Sequence, residues 1–342
     1  MSSWRRIAAG EDWEPEQKAL VDWLMNEKKV VQRWLITKPL GHGANGVVML
    51  VEPDKSWVRP PVQKAVLKVA IASWASDSIL WEVNVLKALQ NPQDKEDRTK
   101  HVVRMLDHGV MKGMKKDMVA WIVMEFLEGN PVEAIVAFAE RDRIPIVCDL
   151  ALHLLKGVYD MHFCGFLHRD LKPENMGMKK GNYLVLYDVG MARTYTQANG
   201  LPRPPRSYVG IRGTDEWASL CSELGRDQTR VDDLWGWFYT ISELANCGSS
   251  NQQAWLCFQT PMMRLFMKSR DCPSQISLCN MPSQFTKIQL YLRSIGAFDT
   301  PDYFYLATLL NEARNRTKRR RLGNPDENSF TIQQNFLERQ YF

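Results

Sequence analysis

Apolar positions along the chain change their period near residue 130. Between Trp34 and about Glu128 they fall in short runs that predict strands: Trp34-Leu35-Ile36, Gly46 to Val51, Ala65 to Ala70, Val102 to Leu106, and Val119 to Phe126. One stretch among them has helical spacing, Asp77 to Gln90, with Ile79, Val83, Leu86 and Leu89 on one face. Ahead of the strands, Pro15 to about Val31 predicts an amphipathic helix, with Leu20, Trp23, Leu24 and Val31 at roughly helical intervals and Pro15 suited to its first turn. From Asn130 onward the pattern is mostly helical, most clearly over Ile144 to Cys164, Val231 to Ala245 and Tyr303 to Arg314. Thr194 to Arg212 has no period and is rich in Pro, Gly and Arg, which predicts a loop. Asn315 to Phe342 reads as a polar tail with a basic run, Lys318 to Arg321. The expected architecture is α+β and bilobal: a helical extension over 1–33, one domain over 34–314, and a tail over 315–342. Within the domain, 34–129 forms a small β-rich lobe and 130–314 a larger helical lobe.

Composition narrows the class. With 45% hydrophobic and 24% charged residues, 342 positions suffice for a sizeable core, and the twelve tryptophans read as packing residues. No run of about 18 apolar residues predicts a membrane span. Met1 to Arg6 lacks the apolar core of a secretion signal, and the absence of Gly at position 2 removes a simple myristoylation signal. A net charge of +5 is too mild to imply nucleic acid by itself. The seven cysteines, Cys148, Cys164, Cys221, Cys247, Cys257, Cys272 and Cys279, are odd in number and show no C-x-x-C spacing. Reduced thiols in the cytosol or nucleus fit them better than zinc or a disulfide framework.

Five segments carry candidate chemistry. Gly41-His42-Gly43-Ala44-Asn45-Gly46-Val47-Val48 follows G-x-G-x-x-G-x-V, and glycines let backbone approach phosphates closely. Its strand–loop–strand setting suits a lid over nucleotide phosphates, whereas a dinucleotide site needs a helix after the glycines. Ala65-Val66-Leu67-Lys68 presents a lysine on the next strand, where a cation would hold the α- and β-phosphates. Glu82 is its candidate partner, since Val83, Leu86 and Leu89 turn that helix toward the core. Met124-Glu125-Phe126-Leu127-Glu128-Gly129 is an apolar strand ending in glycine, as in a hinge. Backbone groups at Glu125 and Leu127 could bond adenine, and Met124 would control access to the pocket behind.

The fourth segment, His168-Arg169-Asp170-Leu171-Lys172-Pro173-Glu174-Asn175, is the decisive one. Asp170 would orient or accept the proton of an attacking hydroxyl, Lys172 would neutralise charge on a transferred phosphoryl group, and Asn175 would bind Mg²⁺. Eighteen residues beyond Asp170 comes Asp188-Val189-Gly190, with Asp188 placed to chelate Mg²⁺ on ATP phosphates. The fifth segment, Asp232-Asp233-Leu234-Trp235, opens a helix. Asp233 would anchor the catalytic-loop backbone from beneath, or simply favour the helix dipole.

Over Trp34 to Arg314 the chain resembles the eukaryotic protein kinases, and within them the casein kinase I group. Gly213-Thr214-Asp215-Glu216-Trp217-Ala218-Ser219 is similar to that group's Gly-Thr-x-x-Tyr-Ala-Ser. The tau-tubulin kinase branch looks closest, by Arg203-Pro204-Pro205-Arg206, Phe238-Tyr239, Met281 to Phe285 and Pro301-Asp302-Tyr303. A divergent nematode member would fit the pattern. The resemblance implies a monomeric serine/threonine kinase that uses ATP and Mg²⁺ on protein hydroxyls. It makes Thr214 a bridge between Asp170 and Lys172, and Gly41, Gly43, Gly46, Val48 and Val66 part of the nucleotide site with Lys68 and Glu82. It also implies acidic or already phosphorylated substrates, for which Arg193, Arg203, Arg206 and Arg212 could form an anion site. No membrane or nucleic-acid partner is expected, and a cytoplasmic or nuclear place fits, with Lys318 to Arg321 as a possible import signal.

The chain also departs from the pattern. Val189 stands for the usual Phe in a stack expected from Met105, Leu86, Val189 and His168. Val66 replaces the usual Ala, Gly177 stands at the expected pocket floor, and Trp217 replaces Tyr. These departures keep a second reading open, a pseudokinase scaffold that binds nucleotide and protein without catalysis. A third, a small-molecule kinase, is opposed by Lys172 and the Gly213-Thr214 segment.

Overall fold

The computed structural model describes residues 13–57, 62–90, 100–179, 183–197, 199–247 and 281–322, together with Met262, Leu265 and Lys268. The chain forms two compact units: 1–128 with 186–192, and 129–185 with 193–342.

The first unit is built on one antiparallel sheet in the order β1-β2-β3-β4-β6-β5. Its strands are β1 (Val30–Val31), β2 (Trp34–Gly43), β3 (Gly46–Pro53), β4 (Ala65–Ala70), β5 (Met105–Lys112) and β6 (Met118–Glu125). Alternation along β3 and β4 sends Val47, Met49, Val51, Leu67 and Val69 into a fully buried layer. Helix α2 (Ser76–Leu89) adds Ile79, Val83, Val85, Leu86 and Leu89 to the core of this unit.

Two expectations shift here. The N-terminal helix α1 covers only Pro15–Trp23, started by Pro15 and a Glu14/Gln17 capping box. It widens to a π turn over Leu24–Lys28 and stops at Lys29, whose φ of 54° lies in the left-handed region. The β-branched pair Val30–Val31 then joins the sheet. The fifth strand was expected at Val102 to Leu106 and runs from Met105 to Lys112 instead. Val102 pairs with Leu186 outside the sheet, through the His101 carbonyl and the Val103 N–H, and the strand itself carries Asp107, His108 and Gly109 at an edge, which hides its period.

The second unit is helical. Helix α4 (Arg143–Phe163), preceded by the short α3 (Pro131–Val136), is buried on nearly all sides from Pro145 to His162, as suits a core helix. Against it pack α6 (Arg230–Asn246) and α8 (Tyr303–Leu322). Trp237 donates its ring N–H to the Ala151 carbonyl at 3.0 Å, and Arg314 reaches Asp149 at 2.6 Å. Two small β ladders, β7 (Phe166–Leu167) with β10 (Arg193–Thr194) and β8 (Met176–Lys179) with β9 (Tyr183–Leu186), and the short α5 (Leu220–Glu223) complete the loops of this unit. Helix α7 (Ser283–Ser294) has no counterpart in the expected elements, although Phe285, Ile288 and Leu292 bury at helical spacing. The backbone of α8 stays helical to Leu322, so the helix runs on into the first residues of the polar segment that begins at Asn315. No helix among the described residues is long and apolar enough to cross a membrane. Cys257, Cys272 and Cys279 and most of Gly248 to Arg270 lie outside the described residues.

Candidate active site

In the first unit, β2 and β3 make a tight hairpin in which Gly43 faces Gly46 across Ala44-Asn45. Gly46 is obligatory by contact: a Cβ there would lie 2.0 Å from the Val69 carbonyl oxygen of β4. Gly41 pairs with Val48, Val48 with Lys68, and Val66 with Met124. Paired residues share a face, so these five positions line one side of the sheet. Val48, Val66 and Lys68 are half-buried there, while Met124 is buried. Glu125 ends β6 with its N–H on the Arg104 carbonyl at 2.9 Å, and Leu127 follows half-buried.

Lys68 Nζ lies 2.8 Å from Glu82 Oε2 and 3.2 Å from Asp188 Oδ1. The Glu82 side chain is 1% exposed, so its charge depends on that cation, whereas Asp188 is 46% exposed and open to a ligand. Burial alone would lower the Lys68 pKa, but Glu82 and Asp188 outweigh it and raise the value above the usual lysine range. Asp188 has φ 57°, a left-handed conformation that a non-glycine residue holds only against strain. Val189 and Leu86 are fully buried in this unit and Met105 half-buried, while His168 is fully buried in the other.

In the second unit the segment after β7 gathers around Asp170. Thr214 Oγ1 donates to Asp170 Oδ1 at 2.8 Å and accepts from Lys172 Nζ at 2.6 Å. Lys172 also lies 3.0 Å from Asp170 Oδ2. Asn175 Nδ2 donates to the Asp170 carbonyl at 2.8 Å and to its Oδ2 at 2.9 Å. That commits the amide nitrogen of Asn175 and turns its oxygen toward other uses. Gly213 has φ 94°, and a Cβ on it would meet the Arg169 carbonyl at 2.5 Å, so glycine alone lets Thr214 come this close.

Asp233 holds this loop by its backbone. It accepts from the N–H of His168 at 2.7 Å and of Arg169 at 2.8 Å, with His162 Nε2 at 2.9 Å. Burial works to raise its pKa, yet His162 and the Arg169 N–H win and hold it below the ordinary value. An ionised carboxylate only accepts, so Nε2 of His162 carries a proton toward Asp233, and Nδ1 lies 2.6 Å from Tyr303 Oη. A chain of polar contacts thus joins α8, α4, α6 and the loop.

A model of the protein kinase domain matches residues 34–245, well over half of the chain. The chain belongs to the protein kinase family. Two curated relatives show the same likeness. A probable serine/threonine-protein kinase of Dictyostelium discoideum is 29% identical over 286 residues, covering 82% of this chain and 53% of the relative. A putative serine/threonine-protein kinase of Caenorhabditis elegans is 29% identical over 292 residues, covering 83% and 78%. The chain therefore spans about half the length of the first relative. In kinase terms the β-sheet unit is the N-lobe and the helical unit the C-lobe of the bilobal fold.

Three features of this kinase domain have little signature in its sequence. Arg193 and Arg206 both pair with Asp227, the latter at 3.1 Å, and the two arginines hold Asp227 down to about 2 against the effect of burial. Lys268, in a stretch with no usable period, donates to the carbonyls of Asp215 and Ala218 at 2.8 Å each and pairs with Glu223, bracing the chain beyond Thr214. Gln17, ahead of the matched domain, reaches the carbonyl of Gly43 in the glycine hairpin. Of these, only the basic composition of the loop gave a signal, through its arginines.

Each unit by itself offers donors of the kind that a nucleotide with a divalent cation needs. Oxygen ligands of the hard type Mg²⁺ needs are present in Asp188, which is open, and Asn175, whose amide nitrogen is already spent. A half-buried, protonated Lys68 suits phosphate.

Proposed function

We propose that this kinase domain transfers the γ-phosphoryl group of ATP to serine or threonine hydroxyls of proteins. The observation that carries the reading is the bond network in which Asp170, Lys172, Thr214 and Asn175 fix one another. Asp170 orients the acceptor hydroxyl and takes its proton, with its carboxylate held by Thr214 and Asn175 so that little reorganisation is needed. Lys172 offsets negative charge on the group in transit, and Lys68, fixed by Glu82, holds the nucleotide phosphates. Mg²⁺, when held by Asp188 and Asn175, would supply charge neutralisation on the phosphates. No covalent enzyme intermediate is required. Both relatives are named as serine/threonine kinases, which supports that specificity. A pseudokinase scaffold is the weaker reading, because none of Lys68, Glu82, Asp170, Lys172, Asn175 and Asp188 is missing.

Placement in the casein kinase I group, nearest the tau-tubulin branch, rests on Gly213 to Ser219 and the matching segments near it. Substrate charge has two supports of opposite sign. Arg193, Arg206 and Arg212 all lie near enough to act on Arg169, and although Asp227 pairs with the first two, this grouping of guanidinium groups favours acidic or phosphorylated peptides. Glu174 instead has Asp170 and Glu216 close enough to raise its pKa along with burial, and this grouping of carboxyl groups favours basic ones. A cytoplasmic or nuclear setting is proposed with the thiols reduced, as in the described Cys148, Cys164, Cys221 and Cys247.

The test is transfer from γ-labelled ATP to casein and to acidic and basic peptides, followed by phosphoamino-acid analysis. Phosphoserine or phosphothreonine is expected. Nucleotide binding without any transfer would move the reading to the scaffold. If the preference for acidic peptides is unchanged in an Arg206→Ala, Arg212→Ala variant, the anion-site idea fails.

A further inference from the structure

The segment ahead of the kinase domain does not stand apart from it. Gln17, on the first turn of α1 and 5% exposed, donates from Nε2 to the Gly43 carbonyl at 3.2 Å. Its other amide atom, Oε1, accepts the Glu14 N–H at 3.0 Å and caps the helix. The Trp13 ring packs at a tilt against His42, the residue between the first two glycines of the hairpin, with ring centroids 4.8 Å apart. Leu20 and Leu24 are buried, and Glu16 pairs with Lys115 at 2.8 Å, so α1 is anchored at several points. The other side of the hairpin is tied too. Asn45 Nδ2 donates to Ser78 Oγ at 3.0 Å, on α2, one turn before Glu82, and the Asn45 carbonyl accepts from Ile71 N–H at 3.0 Å.

A glycine-rich hairpin is conformationally loose by composition, and a loose lid has its ordering cost deducted from nucleotide affinity. We infer that α1 is a working part of the nucleotide site: Gln17 is a positioning residue that holds the Gly41–Gly46 hairpin in one conformation before ATP binds. The hairpin is braced between α1 at Gly43 and α2 at Asn45, and the N-terminal segment sets the affinity for nucleotide rather than the rate of transfer. The inference rests on the nucleotide reading of the glycine hairpin proposed above.

Two substitutions separate the tether from the helix. Gln17→Glu keeps the acceptor for Glu14 and so the cap, but puts a carboxylate oxygen against the Gly43 carbonyl. Gln17→Met keeps the volume and removes both bonds. Three quantities are measured on the full chain: KM for ATP with kcat, affinity for Mg-ADP by titration, and amide exchange of 43–46 without nucleotide. In both variants KM and the ADP dissociation constant are expected to rise roughly three- to tenfold, the scale of one lost hydrogen bond, with kcat within about twofold and faster exchange at 43–46. Equal KM, equal ADP affinity and unchanged exchange in a folded Gln17→Glu protein would overturn the inference while leaving the kinase reading intact. If the unaltered chain transfers no phosphate, ADP affinity and exchange still decide the role of Gln17. A Gln17→Met protein that unfolds leaves the decision to Gln17→Glu.

Discussion

At the scale of single residues, Thr214 is the most informative. Its hydroxyl both donates to Asp170 and accepts from Lys172, so it fixes the orientation of a carboxylate and an ammonium that already pair directly at 3.0 Å. Thr214→Ser keeps the hydroxyl and is expected to retain most activity. Thr214→Ala is expected to lower kcat roughly 10- to 100-fold, with KM for ATP little changed, in steady-state assays. Glu82 acts differently, since its carboxylate fixes Lys68 from a buried position. Glu82→Gln is expected to raise KM for ATP and to lower kcat/KM by about tenfold or more. The roles of these residues were suggested by the motifs around them: His168 to Asn175, Ala65 to Lys68 and Gly213-Thr214 each appear as a contiguous run. Gln17 and Lys268 left no such trace, because each works through side-chain bonds to backbone carbonyls far away in the sequence.

At the scale of elements, the helices with a strong apolar stripe were legible and the irregular ones were not. Helices α2, α4 and α6 begin and end within a residue or two of their expected limits, since their buried faces repeat at helical spacing. The π turn at Leu24 keeps apolar spacing across a change of helix type, and β5 sits at a sheet edge with polar residues in it, so periodicity misplaced both. The contact chain Tyr303–His162–Asp233 shows what elements contribute to the site, since it lets α8 and α4 steady a loop that neither touches through the motif itself. Tyr303→Phe leaves the buried Nδ1 of His162 without its hydroxyl, at a cost of about 1–3 kcal/mol. A lower thermal midpoint is expected, with KM for ATP unchanged. Gly213→Ala, which forces a side chain onto the Arg169 carbonyl, is expected to reduce kcat sharply while ATP affinity persists.

For the molecule as a whole, acid is the condition that exposes its electrostatic design. Asp227 and Asp233 both have folded-state pKa values below the ordinary 3.8, Asp227 at about 2. Their stabilising contribution is complete above the unfolded value and is lost as pH falls through the folded one. Stability to urea is therefore expected to fall between about pH 4 and about pH 2, and Asp227→Asn should flatten part of that fall; an unchanged slope in the variant would remove Asp227 from the account. The α+β, two-lobed organisation was legible from the change of period near residue 130, because strands and helices bury different intervals of the same chain. What the sequence left open was how its extensions join the domain, as α1 joins the sheet unit and α8 runs on to Leu322.

The most direct test compares the chain with its Asp170→Asn variant, using γ-labelled ATP, Mg²⁺ and casein, with ADP affinity measured alongside. The account predicts transfer to serine or threonine by the unaltered chain, a loss of at least about 100-fold in the variant, and similar ADP affinity in both. Equal transfer by the two proteins would contradict the role given to Asp170, and with it the central claim.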